Sequence, residues 1–234
     1  MRKLLVIILL LPFARSASQP PVNNLSPGND SLASAYIATD TLALYNGRQF
    51  YGYPNTIEGY AFYPVNELTK GAVLFDNAWY FNVDLMYDAY QDVLIVKHPP
   101  PFEVNVVLFS ERVAEFSLFN QHFVYLKKDR QGVISDGFYQ RLANGKATVL
   151  IKRTKKLDEK ISGLQVEQRF LTKDHYYVFK GGIYYSIRSQ GDLLELFDDK
   201  RDEIHQYRQQ LNSKFKSNPE QYILSVCNYY NQLQ

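Results

Sequence analysis

Side chains that could carry out chemistry are few and scattered in this sequence. None of its four histidines has a second histidine at the spacing of metal ligands: His98, His122, His175 and His205. No G-x-S-x-G nucleophile elbow is present, so the local motifs give no evidence for a catalytic triad. We therefore expect neither a metal nor a cofactor, and an enzyme is the function class with the least support.

Two carboxylates four residues apart, Asp88 and Asp92, invite comparison with a calcium loop or an acid/base pair. A calcium loop needs further oxygen ligands and a central glycine, and this segment lacks them. An acid/base pair requires both carboxylates to face one substrate. We favour the simpler interpretation, a turn in which aspartate side chains accept hydrogen bonds from their own backbone.

The densest positive run contains Lys152, Arg153, Lys155 and Lys156. These cations could contact lipid phosphates, an acidic polysaccharide or an acidic protein partner. The alternative is a solvated strand end that leads into a loop. A second candidate surface is aromatic and could line a sugar or lipid cleft, although core and cross-strand packing is the more frequent reason for such spacing: Trp79, Tyr87 and Tyr90.

The amino terminus has the pattern of a secretory signal peptide over residues 1–16. Basic residues precede an apolar run at 4–11, and small residues follow it. Residues 17–33 are rich in Ser, Asn and Pro and predict a flexible tether, with a short helix at 31–44. No later run is long enough to predict a membrane helix. The single cysteine, Cys227, excludes an internal disulfide and predicts a buried helical residue.

The elements that must position these side chains are short β-strands separated by turn residues, over residues 34–188. Apolar and polar residues alternate within them, and Asn-Gly and Gly-Gly pairs supply the positive φ angles of tight hairpins. Such short connections require antiparallel pairing. The expected fold is a curved antiparallel sheet, sandwich or open barrel. Its predicted segments are 71–75, 78–87, 93–96, 103–109, 116–119, 122–126, 138–142, 146–152, 176–179 and 183–187.

Residues 189–234 predict a helical tail packed on this sheet. Ser189 and Asp192 have the spacing of a capping box. A charged helix is expected over 198–211. Asn218 and Pro219 then predict the start of a last helix, whose apolar stripe faces the sheet: Tyr222, Ile223, Val226 and Tyr230.

Charge is distributed unevenly along the chain. Residues 17–126 contain four basic and eleven acidic residues, and residues 127–234 contain nineteen basic and thirteen acidic residues. This asymmetry predicts two oppositely charged faces or subdomains that attract each other. We expect no nucleic-acid partner, since no aromatic stacking platform in a basic groove is indicated.

One extended pattern resembles a known family. The segment 71–96 (GAVLFDNAWYFNVDLMYDAYQDVLIV) matches the meander G-x-V-x-Y/F-D/N … V-x-L-x-Y-D-x-Y-x-D-x-L of uncharacterised exported proteins of the Bacteroidetes. The resemblance covers about residues 45–234 and continues through the segments 137–139, 149–156, 176–177, 181–182 and 228–230. It implies the periplasm or cell envelope of a Gram-negative bacterium, and it implies no activity.

Two function classes follow from these observations. The first is a non-enzymatic binding module of the cell envelope that contacts a partner protein or a surface component. The second is a carrier in which a curved sheet holds a lipid or a small apolar ligand in its cavity.

Overall fold

The computed structural model describes residues 43–162, 165–211 and 213–233. The predicted signal peptide at 1–16, the tether at 17–33 and most of the helix at 31–44 lie outside these residues. The described chain is mainly antiparallel β-structure. Its strands are β1 (Arg48–Gln49), β2 (Phe62–Tyr63), β3 (Thr69–Phe75), β4 (Ala78–Asp88), β5 (Val93–Lys97), β6 (Asn105–Val107), β7 (Val113–Leu118), β8 (Gln121–Leu126), β9 (Gly137–Ala143), β10 (Ala147–Lys152), β11 (Lys155–Ser162), β12 (Gln165–Thr172), β13 (His175–Lys180) and β14 (Ile183–Ile187).

Twelve of these strands form one sheet, in the order β1-β6-β5-β4-β3-β7-β8-β9-β10-β13-β14, with β2 paired to β4. Strands β11 and β12 form a separate two-stranded hairpin. The large sheet is not closed into a barrel. The predicted antiparallel β-fold with a helical carboxyl-terminal cap is therefore confirmed.

Turn residues set the register of the hairpins. Gly181 and Gly182 have φ angles of 60° and 84° and connect the paired residues Lys180 and Ile183, as the sequence predicts. The turn between β7 and β8 consists of Phe119 and Asn120, both with positive φ. The predicted strands 116–119 and 122–126 leave their turn at residues 120–121, which is wrong by one residue, because aromatic Phe119 gives no turn signal.

Strand β4 has apolar side chains on both faces at its carboxyl-terminal end. Val83, Leu85 and Tyr87 point into the main core, as their alternation predicts. Met86 points the other way into a smaller core beneath the 50–62 segment. Both faces are covered here, which accounts for the buried residues of this strand.

After the last strand, the described residues form three α-helices: α1 (Gln190–Leu196), α2 (Arg201–Gln210) and α3 (Pro219–Gln232). The capping box of Ser189 and Asp192 begins α1, and the Asn218 side chain caps α3 by accepting from Gln221 N. The predicted stripe of α3 is buried against β10 and its neighbours, and Cys227 is buried with it. No helix in the described ranges is long and apolar enough to cross a membrane.

Two further regions differ from the sequence prediction. Segment 103–109 forms a strand only at Asn105–Val107. Hairpin β11–β12 is where the sequence predicted a loop after the basic run. Charged side chains lie on this hairpin, and its apolar residues Ile161 and Val166 are exposed while Phe170 is buried, so the hairpin has no continuous apolar face that would give an alternating pattern.

Candidate functional site

The four cations of the 152–156 run have different environments. Lys152 is buried at the end of β10, where Nζ donates to Asp92 Oδ2 at 2.5 Å and lies 4.8 Å from the centre of the Tyr139 ring. Lys155 is half-buried, with Nζ 4.7 Å from the centre of the Tyr60 ring, and Lys156 is exposed. The run is therefore not one solvated patch, and whether it binds a partner stays a prediction.

Arg153 is the most heavily paired cation of the run, with a side chain only 5% exposed. Its guanidinium donates to Gln140 Oε1 at 2.6 Å, to Asp174 Oδ2 at 2.6 Å and to Glu220 Oε2 at 2.8 Å. Burial lowers the pKa of Arg153, but the hydrogen bonds to Glu220 and Asp174 raise it by a larger amount, so the net effect is a raised pKa. Because Glu220 lies in the first turn of α3, this arginine joins the sheet to the last helix.

The two aspartates of the 88–92 turn have separate structural roles. Asp88 Oδ1 accepts from the backbone N–H groups of Tyr90 and Gln91, both at 2.9 Å, as the turn interpretation predicts. Burial is the main cause of the raised pKa of Asp88. Asp92 instead accepts from the Tyr87 hydroxyl at 2.6 Å and from Lys152.

Gly137 allows the Asp92–Lys152 pair to form. Its φ is 135°, and a Cβ at this position would overlap both the Asp92 carboxylate and the Lys152 ammonium group. The ion pair therefore depends on a backbone that passes very close to it.

The predicted ligand-face aromatics do not share one surface. Trp79 is 45% exposed and stacks on Phe81, which is 72% exposed. Tyr87 is fully buried in the main core. Tyr90 packs edge-on against Tyr53 and Phe170. Of the three predicted residues, Trp79 and Tyr90 are accessible to a ligand and Tyr87 is not.

Sequence reasoning missed a hydrogen-bonded chain on strands β7, β8 and β9. His122 Nε2 lies 2.7 Å from Glu115 Oε2, and Arg141 Nη2 lies 3.1 Å from His122 Nδ1. Since arginine only donates, Nδ1 accepts and Nε2 donates to the carboxylate. Both ring nitrogens are occupied, so neither is left to activate Ser117, the residue paired with His122 across the strands. Within the described ranges no three His, Cys, Asp or Glu side chains are grouped for a metal ion.

A cleft of about 1000 Å³ opens where the helices meet the end of β14. Four cationic side chains line it: Arg188, Arg208, Lys214 and Lys216. Its apolar surface comes from Leu211, Phe215, Pro219 and Tyr222. No acidic side chain belongs to the described residues that line this cleft. We call it the basic cleft.

The basic cleft has an ordered base and an exposed rim. Arg208 Nε donates to the buried Tyr222 hydroxyl at 2.5 Å, which holds the guanidinium against α3. Lys214 and Lys216 are exposed, and their ammonium groups form no hydrogen bond or ion pair with the described part of the chain. Within the described part of the chain, the rim therefore carries positive charge that no acidic side chain neutralises.

An S-x-x-K spacing, Ser213 to Lys216, also lies on this rim and was missed in the sequence. In serine enzymes with this motif, the lysine must be close enough to the serine to act on its hydroxyl. Residues 213–217 form no helix, and no hydrogen bond among the described contacts joins Ser213 to Lys216. The geometry does not support a serine–lysine pair.

Comparison with known proteins identifies no relative: the chain matches no protein-family model, no curated protein and no solved structure.

Proposed function

We propose that this chain is a non-enzymatic binding module, exported to the cell envelope of a Gram-negative bacterium, and that its basic cleft binds an anionic ligand with an apolar group. The observation that carries the binding proposal is the combination of four cations and an apolar floor in one cleft. The export and envelope parts rest on the signal-peptide pattern and on the family resemblance.

The charges of the basic cleft favour an anion. The Lys214 and Lys216 side chains have no partner among the described residues, and Arg188 interacts electrostatically with Asp192. Asp192 is already engaged in the capping box of α1. A carboxylate or phosphate between the lysines would gain charge-assisted hydrogen bonds without displacing an existing ion pair.

The distribution of ion pairs across the chain supports the same conclusion. Among the described residues, Lys152–Asp92 is the one salt bridge that joins the acidic first part of the chain to the basic second part. Most of the excess positive charge of residues 127–234 therefore forms no salt bridge with the described residues of the first part. Part of it lines the cleft, where it can attract an acidic partner.

The apolar floor of the basic cleft indicates that the anionic ligand also carries an apolar group. Leu211, Phe215 and Pro219 present hydrocarbon surface beside the cations, so a ligand that is only an inorganic ion would leave this surface in water. The volume of about 1000 Å³ lies at the upper end of the range for small-molecule sites. An alkyl or aromatic carboxylate or phosphate monoester matches both surfaces.

Isothermal titration calorimetry with octanoate, octyl phosphate and octanol tests this proposal. We expect the two anions to bind and the double variant Lys214→Gln/Lys216→Gln to weaken them about tenfold, or about 1.4 kcal/mol. The matched control is Lys156→Gln/Lys160→Gln, which removes two exposed charges from β11 and should leave affinity unchanged. Equal binding of octanol and octanoate would favour the alternative function, a carrier of apolar ligands. The absence of binding by all three ligands would refute both.

A further inference from the structure

A second cavity, of about 470 Å³, lies between the 50–66 segment and the outer face of β4. Five aromatic side chains line it, together with polar groups: Phe50, Tyr53, Tyr60, Phe62 and Phe170. It shares no lining residue with the basic cleft. We call it the aromatic cavity.

The wall of the aromatic cavity is held rigidly around Tyr53. The Tyr53 ring packs edge-on against the rings of Phe50, Phe62 and Phe170, with centroids 5.9, 6.0 and 5.3 Å away. Its hydroxyl donates to Asp88 Oδ2 at 2.5 Å and accepts from Gln91 Nε2 at 2.6 Å. The cavity is thus preformed, because both the ring and its hydroxyl are fixed.

Three carboxamides also line the aromatic cavity and have hydrogen-bonding capacity to spare. The side chains of Asn55, Asn66 and Asn105 form no hydrogen bond with the described residues. Each can donate two hydrogen bonds and accept two. They are the polar groups that a ligand in this cavity would meet.

Charge distinguishes this cavity from the basic cleft. The described residues that line it are aromatic, aliphatic, glycine, proline or asparagine, and none is charged. An ionic ligand would lose its hydration without a compensating charge, so a neutral ligand is favoured. It must present an apolar face to the rings and hydroxyl groups to the carboxamides.

We infer that the aromatic cavity binds a neutral hexose unit, free or within a glycan. One face of a hexose carries C–H groups that pack on aromatic rings, and its edge carries hydroxyls that exchange hydrogen bonds with amides. The cavity volume is within the range of small-molecule sites. This inference is independent of the anion site, because the two sites use different residues.

Side-chain amide signals of the asparagine-labelled full chain, followed by NMR, test the inference. The probes are methyl glucoside, methyl galactoside and maltotriose. We expect saturable shifts of the Asn55, Asn66 and Asn105 amides by at least one probe, with no change at exposed Asn228 on α3. Tighter binding of maltotriose than of methyl glucoside would identify a glycan as the source, and equal binding a free sugar.

Variants make the test specific to the cavity. Asn66→Ala changes an exposed side chain and should weaken binding several-fold, whereas Asn228→Ala should not. Asn105→Leu, in β6, should have a larger effect, and its amide spectrum reports whether the sheet is intact. Absence of a saturable shift with about 50 mM of every probe, far above a millimolar Kd, would overturn the inference. Shifts that Asn66→Ala and Asn105→Leu leave unchanged would overturn it too.

Discussion

Replacing Arg153 with methionine should destabilise the fold far more than a surface charge change does. The substitution keeps an unbranched side chain of similar reach but removes the donors to Asp174, Glu220 and Gln140. Removing one partner of a buried ion pair costs about 3–5 kcal/mol, because the other charge stays buried without compensation.

The size of this loss in stability depends on how exposed the two carboxylates are that lose their partner, Asp174 and Glu220. The Asp174 side chain is 13% exposed and must remain largely dry, whereas Glu220 is 35% exposed and can turn toward water. We therefore expect the lower part of the range, about 3 kcal/mol. Relative to a typical stability of about 5–15 kcal/mol, this is a large fraction.

Urea unfolding followed by circular dichroism measures this cost. The control Lys156→Met removes an exposed cation three residues away and should change the free energy of unfolding by less than about 0.5 kcal/mol. Adding Asp174→Asn to Arg153→Met should recover part of the lost stability, because it removes the negative charge that Arg153→Met leaves unpaired. If Arg153→Met unfolds at the same urea concentration as Lys156→Met, the account of this buried network is wrong.

Two further predictions concern single side chains. Burial raises the pKa of the Cys227 thiol to about 12, so a thiol reagent should modify it only after unfolding; rapid modification of the folded chain would contradict its burial. Hydrogen bonds from backbone N–H groups, above all that of Ile134, lower the pKa of the Asp129 carboxyl in the folded chain. The ionised carboxylate therefore stabilises the fold at pH values above its pKa in the unfolded chain. This stabilisation is lost as the pH falls through the lower pKa of the folded chain. Asp129→Asn should therefore give a shallower loss of stability below about pH 4 in thermal melts, and an unchanged slope would show that these bonds do not matter.

Local sequence signals predicted those parts of the fold that depend on neighbouring residues. The Gly181-Gly182 hairpin follows from backbone freedom at two positions, and the Ser189 and Asn218 caps follow from side chains that satisfy backbone groups nearby. The stripe of α3 follows from helical periodicity. Each of these signals is complete within a few residues.

The sites depend on residues far apart in the sequence, and local patterns do not reveal them. The Lys152–Asp92 pair spans 60 residues, so the basic run gives no sign that its first two charges are buried. The basic cleft combines the end of β14 with the start of α3, and the aromatic cavity combines the 50–66 segment with Phe170. The charge excess of residues 127–234 was the one available signal for the cleft, without its location.

The most direct test of the proposed binding function is an NMR measurement of the complex with octyl phosphate. We expect intermolecular nuclear Overhauser effects from the octyl methylenes to the Leu211 methyls and the Phe215 ring, and we expect the phosphate to perturb the ammonium groups of Lys214 and Lys216. Octyl contacts confined to other surfaces would contradict the proposal that the basic cleft is the binding site. A saturable complex whose affinity is unchanged by substitution of both lysines would contradict it as well.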